Sequence, residues 1–338
     1  MFTMKRIFYS FFLLALLTSC NKQKSITELI SLDSVWNHLE QFDKIAKEND
    51  SNRAVGTPGG IASKDYIMQT INKLGLNVVT QYFTNRHETQ GCNLLVEIPG
   101  KSKEEVLLVG SHYDSVKFGP GINDNATGVA VVLDIIRAIQ ERKIIPERTL
   151  RFAFWDSEET GVEGSPYYYN SLNDEEKNQI ATYLNIDMIA SKDGEIYISD
   201  TDGSTIDFLI TRYKEQGLDE EMLEVLTNGY NAIKFAEGSE KLEVLSKEVF
   251  AELGVKVNED LQFALNSDTA PFLSDIPTMG ISVVKIIEEE IEDGEFAILF
   301  APCYHQSCDD ITNVDKDILY SCLKATSMLI EKLMYKSK

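Results

Sequence analysis

The stretch Val106-Leu107-Leu108-Val109-Gly110-Ser111-His112-Tyr113-Asp114 passes without a break from apolar residues into polar ones. A short apolar run closed by glycine reads as a strand inside a sheet. Its continuation sets a histidine and an aspartate just past the strand's carboxyl end, where ligands bind in open α/β sheets. The same grammar returns downstream. A buried strand at 150–155 runs into Asp156-Ser157-Glu158-Glu159, and a strand at 183–189 carries Asn185-Ile186-Asp187-Met188. Between the first two lies Gly121-Ile122-Asn123-Asp124-Asn125, ahead of a helix at 126–141 that sets Val129, Val132, Leu133 and Ile136 on one face.

Working outward, helical periodicity predicts helices at 26–47, 61–74, 165–172, 204–216, 239–253 and 316–334. Strands are predicted at 77–83, 93–98 and 278–285. Such alternation means α/β, a three-layer sandwich with a largely parallel mixed central sheet. The organisation expected is a signal peptide at 1–19, a tether at 20–25 and a single domain at 26–338.

Lys5 and Arg6 precede an apolar run from Ile7 to Leu17, about half the ~20 residues that a spanning helix needs. Leu17-Thr18-Ser19-Cys20 follows and resembles a bacterial lipobox. That resemblance implies cleavage before Cys20, acylation of its thiol, and a lipoprotein of the cell envelope. With asparagine at position 21 it points to the outer membrane. Several acyl chains, at about 0.8 kcal/mol per buried CH₂, hold a protein on a membrane durably. The envelope is oxidising, so Cys303 and Cys308, which bracket His305, are expected to form a disulfide. The formal charge of −22 repels phosphate backbones, so no nucleic-acid partner is expected.

The chain has 4 histidines. His38 falls on the polar side of the first helix and His87 in a polar loop, so both read as surface residues. His112 and His305 stand beside carboxylates. Imidazole nitrogen and carboxylate oxygen are the donors of a catalytic zinc site. Two zinc ions sharing one carboxylate need two histidines, two terminal carboxylates and the bridge, and a further unligated carboxylate can take the proton from water.

Ser111-His112-Tyr113-Asp114-Ser115, Asn123-Asp124-Asn125-Ala126-Thr127-Gly128, Glu158-Glu159-Thr160-Gly161, Asn185-Ile186-Asp187-Met188 and Cys303-Tyr304-His305-Gln306-Ser307-Cys308-Asp309 occur in that order. This set resembles the co-catalytic, di-zinc aminopeptidases of the bacterial leucyl aminopeptidase type, related in fold to glutaminyl cyclase and glutamate carboxypeptidase. The resemblance runs from about Arg53 to the last helix. It implies a zinc-dependent exopeptidase fold and two Zn²⁺ ions. His112 and Asp187 resemble the end ligands of one ion, Glu159 and His305 those of the other, and Asp124 the bridge. Glu158 resembles the general base, acting on a water shared by the metals. Asp114 matches a carboxylate that orients the His112 ring, Asp309 is a candidate for the same service to His305, and Tyr304 matches an oxyanion-stabilising residue. Asp156 competes with Glu158 for the base on position alone. Where the family commonly has Ser-Asp-His, this chain has Ser267-Asp268-Thr269, which leaves that segment's role open.

The expected activity is release of N-terminal residues from peptides. The rivals are a one-zinc glutaminyl cyclase-like acyltransferase, an inactive scaffold of the same fold, and a carboxypeptidase or dipeptidase of that fold, which often carries an inserted domain that the stretch from Ser191 to Leu261 is too short to supply. Side-chain preference and oligomeric state are not written in these residues.

Overall fold

The central strands of the computed structural model, which describes residues 25–291, 295–299, 301 and 303–335, reproduce the apolar runs. The expected signal peptide and Cys20 lie outside the described residues. The strands are β1 (Val78–Thr84), β2 (Gln90–Ile98), β3 (Ser102–His112), β4 (Arg148–Trp155), β5 (Ile180–Ile186), β6 (Glu195–Ser199), β7 (Asn258–Asp260), β8 (Thr278–Val284), β9 (Ile287–Ile291) and β10 (Glu295–Leu299). The helices are α1 (Leu32–Glu48), α2 (Pro58–Lys73), α3 (Thr127–Glu141), α4 (Gly164–Ser171), α5 (Asp174–Gln179), α6 (Ile206–Glu215), α7 (Glu220–Asn231), α8 (Ser239–Glu252), α9 (Gln262–Leu265) and α10 (Lys316–Met334).

Eight strands form one sheet in the order β1-β2-β4-β3-β5-β8-β6-β7. The inner pairs β3–β4, β3–β5 and β5–β8 are parallel, while β1–β2, β2–β4 and β6–β8 are antiparallel. β9 and β10 pair separately. From β3 the chain goes to β4 on one side and afterwards to β5 on the other. That reversal makes the carboxyl end of β3 a topological switch point, where a crevice opens between diverging connections.

Alternation along the strands builds the three layers. Leu107, Val109, Phe152, Phe154, Leu184 and Ile186 join one buried cluster with residues of α1, α3 and α10. Leu108, Ala153, Trp155 and Tyr183 face the other way and pack with Tyr168 and Tyr169 of α4 and with Phe272. Among the described residues no helix is long and apolar enough to cross a membrane.

Some boundaries differ from the sequence expectation. Helical structure is expected from position 26, but a 3₁₀ turn (Ile26–Glu28) comes first. The α-helix waits for Ser31, whose side chain accepts from Ser34 N and caps it. β5 ends at Ile186 rather than 189 because Met188 turns the chain with φ 52°. β6 has only five residues, and α7 buries only Leu223, so neither leaves a strong periodic signal.

His38 also departs from its expected place on the surface. Its Nδ1 lies 2.6 Å from the Tyr66 hydroxyl of α2. Burial pushes its pKa down to about 4, against the pull of Asp134. A histidine whose folded pKa is depressed adds stability above its unfolded value near 6.5 and loses it as pH falls toward 4. Between pH 7.5 and 4.5, His38→Gln is expected to lose less unfolding free energy than the wild type in urea titrations, by on the order of 2 kcal/mol. Equal losses in the two proteins would remove His38 as the cause.

Candidate active site

Four loops converge at the carboxyl ends of β3, β4 and β5. β3 itself delivers His112, which is buried. Its Nε2 lies 3.2 Å from Asp124 Oδ1 and 3.2 Å from Asp187 Oδ1. Across the same aspartate, His305 Nε2 lies 3.4 Å from Asp124 Oδ2 and 3.0 Å from Glu159 Oε2. The two oxygens of Asp124 therefore face different histidines. The donors fall into two sets that share this residue, His112–Asp124–Asp187 and Asp124–Glu159–His305. All five predicted ligands come together.

The surroundings explain how they are held. Asp114 accepts from the backbone N–H groups of Glu158 and Glu159 at 3.2 and 3.3 Å. Its Oδ1 faces His112 Nδ1 at 3.5 Å, long for a hydrogen bond, so its firmer grip is on the Glu158–Glu159 turn. Asp309 does not reach His305 as expected. It accepts from Asn123 N and Asp124 N at 3.1 and 3.0 Å and so fixes the bridging aspartate's backbone. Asn125 donates to Ser111 Oγ and the Ile186 carbonyl and accepts from Gly128 N and Met188 N, locking three loops together. Gly128 is obligatory there, since a Cβ would meet the Ile186 carbonyl oxygen at 2.3 Å. Ser157, Met188 and His305 all have positive φ (61°, 52° and 55°). Non-glycine residues adopt that conformation at a cost that functional sites often carry.

Two supports escaped the sequence reading. Arg53 is fully buried and donates to the carbonyls of Tyr113, Pro120 and Gly121. It thereby ties the His112 loop to the Asp124 loop. The only signal was its place ahead of the glycine-rich segment Gly56-Thr57-Pro58-Gly59-Gly60. Ser267, in the segment left open, donates to Asp187 Oδ2 at 2.7 Å. It ends a buried chain in which Trp155 Nε1 donates to the Tyr183 hydroxyl, that hydroxyl to Asn185 Oδ1, and Asn185 Nδ2 to Ser267.

The electrostatics are those of an acid-crowded crevice. Burial, with Asp124 next, pushes Glu159 up to about 8. Burial pushes Asp268 up to about 7. Glu158 is driven well above the usual carboxyl range, by burial first and then by Glu159, Asp187 and Asp268 against the pull of His112. Burial alone would raise Asp124, but the hydrogen bonds with His112 and His305 outweigh it and hold it low. Glu159 Oε1 is buried without a hydrogen-bond partner among the described residues. Oxygen and imidazole donors in two sharing sets, with carboxylates in excess of nearby cations, fit divalent metal ions. His112, Asp124 and Asp187 would hold one and Asp124, Glu159 and His305 the other.

Glu158 sits beside both sets, and its carboxylate accepts no hydrogen bond from the described residues. It lines a cavity of about 210 Å³ with Asp124, Asp187, Met188, Phe263 and Tyr304. Asp156, the positional rival, is consumed by Cys92 N, the Tyr113 hydroxyl and Ser157 N. Tyr304 stacks on the His305 ring with centroids 3.7 Å apart. The loop carrying both is closed by the Cys303–Cys308 disulfide, as expected.

Residues 93–330 match the family model for peptidase family M28. The chain belongs to that family. The M28 match spans every residue of the two donor sets. Leupeptin-inactivating enzyme 1 of Streptomyces exfoliatus is 33% identical over 296 residues, covering 86% of this chain and 59% of that protein. An aminopeptidase of Pseudomonas aeruginosa is 33% identical over 240 residues, covering 69% of this chain and 40% of that protein. The M28 chain thus spans about half the length of the curated relatives it matches. Among solved structures, a zinc aminopeptidase from Bacillus subtilis has a similar fold (TM-score 0.66, 15% identity, 91% of this chain and 96% of that one). So has Porphyromonas gingivalis glutaminyl cyclase (TM-score 0.64, 18% identity, 90% and 99%).

Proposed function

We propose that this chain is a di-zinc aminopeptidase that hydrolyses the first peptide bond of peptides bearing a free N-terminus. The observation that carries the reading is Asp124, whose two oxygens face His112 and His305 in two donor sets, with the open carboxylate of Glu158 alongside. Bound zinc would polarise the scissile carbonyl and lower the pKa of the attacking water toward about 7. Glu158 receives the proton of that water and passes it to the leaving amine nitrogen. Tyr304, on the cavity wall, donates its hydroxyl to the developing oxyanion. Asp187 and the other carboxylates of the crevice attract the substrate's ammonium group. Asp114, through the amides of Glu158 and Glu159, holds base and ligand in register.

The test is hydrolysis of amino-acyl p-nitroanilides by the chain from Ser25 onward, with and without chelator, beside the N-acetylated substrates. Chelator-sensitive cleavage of the free-amine substrates alone is expected. Cyclisation of N-terminal glutamine without any hydrolysis would favour the acyltransferase reading instead.

Signal cleavage before Cys20 and its acylation would anchor the domain in the cell envelope, at the outer membrane, through a tether ending at Ser25. Ser25 is itself bonded to Glu331 of the last helix. Cys20→Ser is expected to move the protein from the membrane to the soluble fraction and to abolish its labelling by palmitate. A membrane-bound, unlabelled variant would contradict the anchor.

A further inference from the structure

A second cavity of about 320 Å³ meets the proposed metal centre through Glu159, with Val116, Lys117, Phe118 and His87 among its walls. It shares no lining residue with the cavity that contains Glu158. A substrate cut at its first peptide bond extends in two directions from the reacting carbon, toward the released residue and toward the leaving peptide. The Glu158 cavity has Met188, Phe263 and Val284 in its walls and suits a side chain. The Glu159 cavity is then the space left for the leaving peptide.

Its chemistry is unusual for this chain. Acidic residues outnumber basic ones by 54 to 32, yet among the exposed residues of this wall, His87, Lys117 and Phe118, the permanently charged one is a lysine. Lys117 has no carboxylate within 4 Å among the described residues. Phe118 beside it is 81% exposed and offers an uncovered aromatic face.

The segment that carries them is well anchored. A Cβ on Gly119 would lie 2.2 Å from the Gln306 carbonyl oxygen, so its backbone packs directly on the disulfide loop that bears His305. Ser115 Oγ accepts from Arg53 N at 2.8 Å and lies 3.1 Å from the Gly119 carbonyl, closing the segment's base. Lys117 thus lines the cavity on a loop braced against the metal centre.

We infer that Lys117 reads a carboxylate on the leaving peptide and biases the enzyme toward substrates that carry one close to the cut. The inference rests on the aminopeptidase reading and names its substrate class. The carboxylate is either the C-terminus of a dipeptide or an acidic side chain in the second position. Both present the same charge to the cavity, and the crevice's remaining acids repel them elsewhere.

The experiment compares kcat/KM for Leu-Ala, Leu-Ala-amide, Leu-Glu-amide and Leu-p-nitroanilide in the wild type, Lys117→Gln and Lys117→Glu, at low and high salt. The wild type is expected to prefer at least one carboxylate-bearing substrate over Leu-Ala-amide by about five- to tenfold at low salt, and less at high salt. Preference for Leu-Ala would assign the C-terminus, and preference for Leu-Glu-amide the side chain. That ratio is expected to fall toward one in Lys117→Gln and to invert in Lys117→Glu. A wild type that cleaves Leu-p-nitroanilide yet handles the three peptides alike would overturn the role of Lys117 alone, as would an unchanged ratio in Lys117→Gln. Failure of the wild type to cleave any of the four would overturn the aminopeptidase reading itself.

Discussion

Glu158→Gln is expected to lower kcat for leucyl p-nitroanilide by about 10³- to 10⁴-fold while the zinc content stays unchanged. The glutamine keeps the shape of the side chain and removes its capacity to take a proton. Nothing structural is lost, because the Glu158 carboxylate accepts no hydrogen bond from the described residues. Its carboxyl is driven up by burial and by Glu159, Asp187 and Asp268. A carboxyl raised above its unfolded value favours the fold when protonated and costs stability as pH rises. The metal-free variant is therefore expected to melt no lower than metal-free wild type at pH 7. Metal analysis, melting curves and kinetics on one preparation check all three points. Activity within tenfold of wild type would remove Glu158 from the role of base.

Asp124→Asn is expected to have the other large effect, and of a different kind. Both donor sets use Asp124, one through each oxygen. The amide keeps one oxygen and turns a nitrogen donor toward one histidine. Zinc binding at both positions should weaken together, with activity falling about 10³-fold or more, since metals supply several kcal/mol of transition-state stabilisation. The backbone at Asp124 is held independently by Asp309, so the fold should survive. The chain should lose the melting-temperature gain that zinc gives the wild type, without losing its metal-free stability. Retention of one tightly bound zinc per chain would mean that the two sets are not joined through this residue.

The parts of this molecule that were legible in the sequence are those where one physical requirement dominates. β8 and the carboxyl-terminal parts of β3 and β4 are buried on both faces, so their apolar runs stand out; α1 carries an apolar stripe and α3 is apolar over most of its surface. The clustering of His112, Asp124, Glu158, Glu159, Asp187 and His305 followed from strand ends and from resemblance. Less legible were elements whose residues serve remote partners. Arg53 precedes the Asp124 loop by many residues, and its buried guanidinium is satisfied by carbonyls, which leave no trace in side-chain identity. Sequence proximity pairs Asp309 with His305, yet its carboxylate accepts from backbone amides far back in the chain. His38 sits on a helix whose polar face is partly covered by α2, which periodicity within one helix does not reveal. In each case the deciding contact is long-range and made by main-chain groups or by a neighbouring element.

The proposed function has two zinc ions, joined through Asp124, supporting removal of N-terminal residues, and it stands or falls on stepwise addition of zinc to metal-free protein, with leucyl p-nitroanilide turnover and bound zinc read at every step. Full activity is expected to require two bound zinc ions per chain, with the N-acetylated substrate uncut throughout. Activity complete at one bound zinc, or two zinc ions bound with no turnover, would contradict it.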